Sequence, residues 1–139
     1  MGLLTNVPLM IVPFIVYNLV VMGLVPVGGG DPWAAQVMTL SMLSGAQWTM
    51  NMGNLMVVLG LALLFFEILK ATRVGPGSII DHLLSTFVFI AYLVEFLIVP
   101  SAAHSVFFIL MAITFIDVIA GFSVSIRSAT RDVSVGGHY

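Results

Sequence analysis

The chain has 139 residues, of which 60% are hydrophobic and 7% charged, and its mean hydropathy is +1.18. Four Lys/Arg and six Asp/Glu cannot cover the surface of a water-soluble domain of this length, so the composition predicts a single domain dissolved in lipid. A net charge of −2 argues against nucleic acid as a partner, and the lack of cysteine excludes disulfides, iron–sulfur clusters and thiolate metal sites.

The first apolar run, residues 3–25, carries Pro8 and Pro13 and has no basic residues ahead of it, so it reads as a retained helix and not a cleaved signal. A turn cluster, "PVGGGDP", then opens the one sizeable loop, residues 26–50. Within it the apolar residues alternate: Met38, Leu40 and Met42 against Thr39 and Ser41, then Trp48, Met50 and Met52 against Gln47, Thr49 and Asn51. A period of two on either side of Ser44-Gly45 predicts a β-hairpin; the competing reading is an amphipathic segment lying in the headgroup layer. As a hairpin it would turn Met38, Leu40, Trp48 and Met50 toward the membrane surface or a partner, and Trp33 and Trp48 suit an interfacial belt.

Three further spans follow at about 51–70, 78–99 and 103–126, and the residues after 126 read as a short flexible tail. The fold class is therefore an all-α membrane protein of four transmembrane helices in a compact bundle, with a hairpin between the first two. Lys70 and Arg73 lie after the second span, and Arg127 and Arg131 after the fourth. With four spans these places share one side, and the positive-inside rule makes that side cytoplasmic, together with both termini.

Polar and small residues collect in stripes. Gly53, Val57, Gly60, Leu64 and Glu67 share a face of the second span; Asp81, Ser85, Val88, Tyr92, Glu95 and Val99 one of the third; Thr114, Asp117, Gly121, Ser125 and Ser128 one of the fourth. Such stripes belong at helix–helix contacts in lipid. Glu67 and Asp81 fall near the basic boundary, where with Lys70 and Arg73 they read as a surface charge cluster. Glu95, Tyr92 and Asn18 read as a hydrogen-bonded group at the opposite end. Asp117 stands apart: it lies ten residues before Arg127, about 15 Å along a helix, level with Gly60, Val88 and Pro13 and with no cation at that depth. Two readings stay open. Desolvation keeps Asp117 protonated as interhelical glue, with Thr114 or a carbonyl freed by Pro13 accepting its hydrogen, or it lines a hydrated path for protons or cations.

The sequence has no nucleophile–base pair and no Gly-rich phosphate loop, and His82 and His104 lie at opposite ends of the third span and its loop. No enzymatic activity, cofactor or metal is expected. The segments "LLFFEILKATR" (63–73), "SIIDHLLS" (78–85) and "IDVIAGFSVSIRSATRD" (116–132) resemble a group of small four-helix inner-membrane proteins of bacteria. That resemblance implies a multi-pass protein of the bacterial inner (plasma) membrane, and it carries over no functional residues. Small multidrug transporters are not matched, since they rely on a carboxylate in the first helix where this chain has Asn18; fluoride channels are not matched either. Claudins are similar in topology alone, because their cysteines are missing here. The expectation is a non-enzymatic protein that self-assembles or acts as an accessory subunit of a membrane complex, contacting lipids and other subunits. The alternative is a small proton- or cation-conducting protein using Asp117.

Overall fold

The computed structural model describes residues 7–26, 29–73 and 76–136. Helix α1 covers Ile11–Val21, strands β1 and β2 cover Gln36–Ser41 and Gln47–Asn51, and helices α2, α3 and α4 cover Met52–Lys70, Pro76–Ile98 and Ser105–Gly136. Short 3₁₀ turns at Pro32–Ala34 and Pro100–Ala102 complete the elements among the described residues. Helix α4 is central: it packs along both α2 and α3, and α1 lies more lightly against α2 and α4.

Three helices, Met52–Lys70, Ile79–Ile98 and Ser105–Arg127, are long and apolar enough to cross a membrane. Helix α1 is apolar but has 11 residues, a rise of about 16 Å against the ~30 Å of a hydrocarbon core. It is therefore shorter than the 3–25 span expected from hydropathy, of which residues 3–6 lie outside the described ones. Local chemistry sets both of its ends. Pro13 sits in the first turn, where its missing N–H has no intrahelical partner to lose. At the other end Gly23, at φ +79°, ends the helix: its N–H bonds to the Val20 carbonyl, and the Leu24 N–H to that of Leu19. That pair of bonds is a Schellman stop.

The alternation in residues 36–51 does form an antiparallel hairpin, with Leu40 opposite Trp48, Thr39 opposite Thr49 and Met38 opposite Met50. The turn closes with Gly45 N–H on the Met42 carbonyl and Met42 N–H on that of Ala46, and Gly45 takes φ +90°. This is a three-residue loop whose last position needs glycine. No loop separates the ribbon from α2: Asn51 ends β2, and its side chain accepts the Asn54 N–H as the helix N-cap.

Pro76 opens α3, the position a helix tolerates best. Val99 leaves the helix because Pro100 follows it. Helix α4 does not stop at Ile126. No Gly or Pro interrupts residues 122–135, so the helix continues to Gly136 where a flexible tail was expected. The last three residues are outside the described part.

The core is aromatic toward the hairpin end and aliphatic in the middle. Tyr17 stacks on Trp33 with centroids 4.8 Å apart and meets Phe107 edge-on at 4.8 Å, and Phe14 meets Tyr92 edge-on at 5.0 Å. Met10, Met56, Leu110 and Ile113 are buried next to them. The exterior is apolar as well: Phe65, Ile79, Phe87, Leu97, Phe115 and Ile119 all face out. An uncovered apolar surface of this extent marks contact with lipid or protein.

Candidate functional site

The stripes converge. Where α2 ends and α3 begins, Glu67, Asp81, Ser85 and Asp117 are all buried, with Glu67 2% and Asp117 4% exposed. Lys70 Nζ lies 2.9 Å from Glu67 Oε1 and 3.3 Å from Asp81 Oδ1. The first contact is a hydrogen-bonded ion pair; the second is a charge contact without hydrogen-bond geometry, and it leaves Asp81 Oδ1 buried and unbonded. Ser85 Oγ reaches Glu67 Oε2 at 3.4 Å, and the buried Asp117 lies within electrostatic reach of Glu67, Asp81 and Lys70. The segment ahead of α1 closes the group from the side. Leu9 N–H donates to Glu67 Oε1 at 3.0 Å, and Lys70 Nζ donates to the Val7 carbonyl at 2.7 Å.

This arrangement revises two expectations. Glu67 and Asp81 are not part of a solvated surface cluster, because α4 covers them. Asp117 is not isolated from cations, because Lys70 lies within electrostatic reach. The depth count from Arg127 assumed that all helices end level, whereas α4 runs past α2, so Asp117 faces Glu67 and not Gly60. Thr114 does not accept from Asp117; its hydroxyl donates to the Met111 carbonyl of its own helix at 2.6 Å. Arg73 stays at the rim, with Nε 3.4 Å from the Lys70 carbonyl.

His82 joins this region from α3. Its ring is 5% exposed, stacks on Phe122 with centroids 4.7 Å apart, and keeps a buried Nε2 with no hydrogen-bond partner. Gly121 makes room for it: a Cβ there would lie 3.3 Å from the imidazole Cε1. The pairing of His82 with the small residue at 121 could have been found by matching the stripes of α3 and α4.

The expected Glu95–Tyr92–Asn18 group forms only in part. Glu95 lies beside Asn18, whose amide donates to the Phe14 carbonyl at 2.9 Å, and Glu95 Oε2 is buried without a hydrogen-bond partner. Tyr92 turns away and donates to the Met10 carbonyl at 2.9 Å. Met56, Tyr92, Phe107, Leu110 and Ile113 separate this pair from the carboxylate cluster.

At the hairpin end the structure adds a contact that sequence reading missed. Asp31 Oδ2 and His104 Nε2 are 3.0 Å apart, linking residues 73 positions distant. His104 Nδ1 accepts the Val106 N–H at 3.0 Å, so Nε2 carries the proton donated to Asp31. That bond holds the Asp31 carboxyl below the usual carboxylate range. Asp31 also accepts the Trp33 N–H at 3.2 Å, and Tyr17 Oη donates to the Ser101 carbonyl at 2.7 Å. Trp33, expected at the membrane interface, is buried in this latch. A cavity of about 530 Å³ opens beside it, lined by Tyr17, Val21, Asp31, Trp33, Ser101 and His104.

The hairpin stands clear of the bundle. Met38, Leu40 and Trp48 lie on one face, each more than two-fifths exposed, Met50 on the same face is half-buried, and Leu43 at the turn is fully exposed. The other face carries Thr39 and Thr49, whose hydroxyls are 3.0 Å apart, and Gln47 bonded to Ser41 at 2.7 Å. No family model matches the chain, and neither a curated protein nor a solved structure matches it.

Proposed function

We propose that this chain is a non-enzymatic, multi-pass structural subunit of a larger membrane assembly, built with other chains or with copies of itself, and docked through its hairpin. One observation carries the reading: the hairpin is firmly anchored yet leaves its apolar face uncovered. Anchoring comes from Met52 N–H on the Ala35 carbonyl, the Asn51 cap and the Asp31–His104 latch. A ribbon held this firmly, with Met38, Leu40 and Trp48 bare on one side, suits a partner surface. The basic residues favour an orientation with the hairpin outside and Lys70 and Arg73 in the cytoplasm, in an inner membrane.

The test is a photo-crosslinking amino acid at Leu40 or Trp48 in cells, with Thr49 as the opposite-face control. Crosslinks from Leu40 and Trp48 to a second polypeptide, absent at Thr49, are expected; crosslinks to lipid alone from all three would refute the reading.

Conduction of protons or cations is the second reading, and the buried carboxylates favour it. The apolar layer of Met56, Phe107, Leu110 and Ile113 between them and Glu95 argues against a path through one protomer. Proteoliposomes of the purified chain should therefore pass no proton or cation current above empty vesicles, and a current removed by Asp117→Asn would reverse the preference.

A further inference from the structure

We infer that Glu67, Asp81 and Asp117 form an exchangeable proton-binding site at the end of the bundle where α2 gives way to α3. The inference does not depend on the assembly reading. Glu67 and Asp81 face one ammonium, Asp117 lies within its electrostatic reach, and all three carboxylates are buried. Fully ionised, the group would hold two negative charges that Lys70 cannot offset, in surroundings where an uncompensated charge is strongly unfavourable. Uptake of protons onto carboxylate oxygens removes that excess, with nothing oxidised or reduced.

Two unbonded atoms point the same way. Asp81 Oδ1 belongs to a side chain 3% exposed and meets Lys70 Nζ at 3.3 Å without hydrogen-bond geometry. His82 Nε2, also buried, has no partner, and its ring is within electrostatic reach of Asp81 and Glu67. A buried carboxylate whose one cationic neighbour is shared with, and held closer to, a second carboxylate is a place for a proton. The Lys70 ammonium already occupies the cation position between Glu67 and Asp81, so the proton is the ligand that fits.

The charged and titratable groups facing the site are Glu67 and Lys70 from α2, Asp81 and His82 from α3, and Asp117 from α4. The segment before α1 contributes the Leu9 N–H and the Val7 carbonyl. Exchange runs past Lys70, whose side chain is 16% exposed, because Leu110 and Ile113 close the opposite side. Occupancy also reaches the backbone: Leu9 N–H donates to Glu67, and a hydrogen bond to a carboxylate weakens when the carboxylate is neutralised.

Infrared spectroscopy of the full chain in lipid nanodiscs tests this. A carbonyl stretch of protonated carboxyl groups should be present at neutral pH, shift in D₂O and vanish as the pH is raised. Asp117→Asn and Glu67→Gln should each diminish it, and Asp31→Asn at the other end should leave it unchanged. A folded wild-type protein without the band at neutral pH would overturn the inference, as would a band that both variants leave intact. Displacement of the band by sodium chloride at fixed pH would make this a cation site and overturn it too. If either variant fails to fold, the other serves, and the wild-type titration decides alone.

Discussion

Replacing Lys70 by Met tests whether the buried cluster depends on its one ammonium. Met keeps most of the aliphatic stem, so the change isolates the charge. The substitution removes the 2.9 Å bond to Glu67, the 3.3 Å contact with Asp81 and the bond to the Val7 carbonyl. Removing one partner of a buried ion pair is destabilising by ~3–5 kcal/mol, because the remaining charge is left without compensation. Lys70 is 16% exposed, so the lower end, about 3 kcal/mol, applies. The sign with pH follows. The orphaned carboxylates regain neutrality by binding protons that the unfolded chain does not hold, so the loss is full near neutrality and shrinks on acidification. Unfolding by SDS titration in mixed micelles, at neutral and acid pH, measures this. Adding Asp81→Asn should restore a large part of the loss, since it deletes one of the stranded charges. A Lys70→Met protein within ~0.5 kcal/mol of wild type at neutral pH, or a double variant no better than the single, would refute the reasoning.

Gly53→Ala puts a methyl 2.9 Å from Val106 Cγ2 and 3.2 Å from the immobile Trp33 carbonyl, so a loss of ~1–2 kcal/mol is expected in the same titration, whereas at Gly60 the neighbours are the movable ends of Leu110 and Ile113 and alanine should be near neutral. His104→Ala should remove a small acid-side dependence of stability. Asp31 is held low in the folded state by His104, so its contribution is present above the ordinary carboxylate range, near pH 4, and is lost as pH falls through the depressed value. Thermal melts from neutral to acid pH should show a steeper slope in wild type than in the variant. Cysteines at Ser44 and Thr130, probed on intact cells with an impermeant thiol reagent, should label at Ser44 alone; labelling of Thr130 alone would invert the proposed orientation.

Much of the architecture was legible because it follows from local pattern. Runs of ~20 apolar residues marked α2, α3 and α4, and the alternation broken at Ser44-Gly45 marked the ribbon, while its register follows from a three-residue loop that alternation does not specify. The stripe residues Ser85, Tyr92, Thr114 and Asp117 do face inward. The length of α1 was missed because hydropathy does not register a Gly23 stop, and that of α4 because charged residues were taken to end a helix that only Gly or Pro would break. The cluster was misplaced for a different reason. A stripe fixes which side of a helix is buried but not how far one helix slides along another, and a shift of two turns separates Asp117 beside Gly60 from Asp117 beside Glu67. The Asp31–His104 latch joins positions 73 apart and leaves no periodic trace.

The direct passage from β2 into α2 at Asn51 has a mechanical consequence. A loop between them would absorb motion as dihedral rotation, but here the Asn51 cap and the Met52 N–H bond to Ala35 fix the junction. The ribbon and the 19-residue helix thus form one stiff lever, and Glu67 and Lys70 ride at the helix end farthest from the ribbon, about 25 Å away along the axis. Asp81 and Asp117 sit on other helices, so any rocking of this lever would shift the carboxylate and the ammonium relative to them.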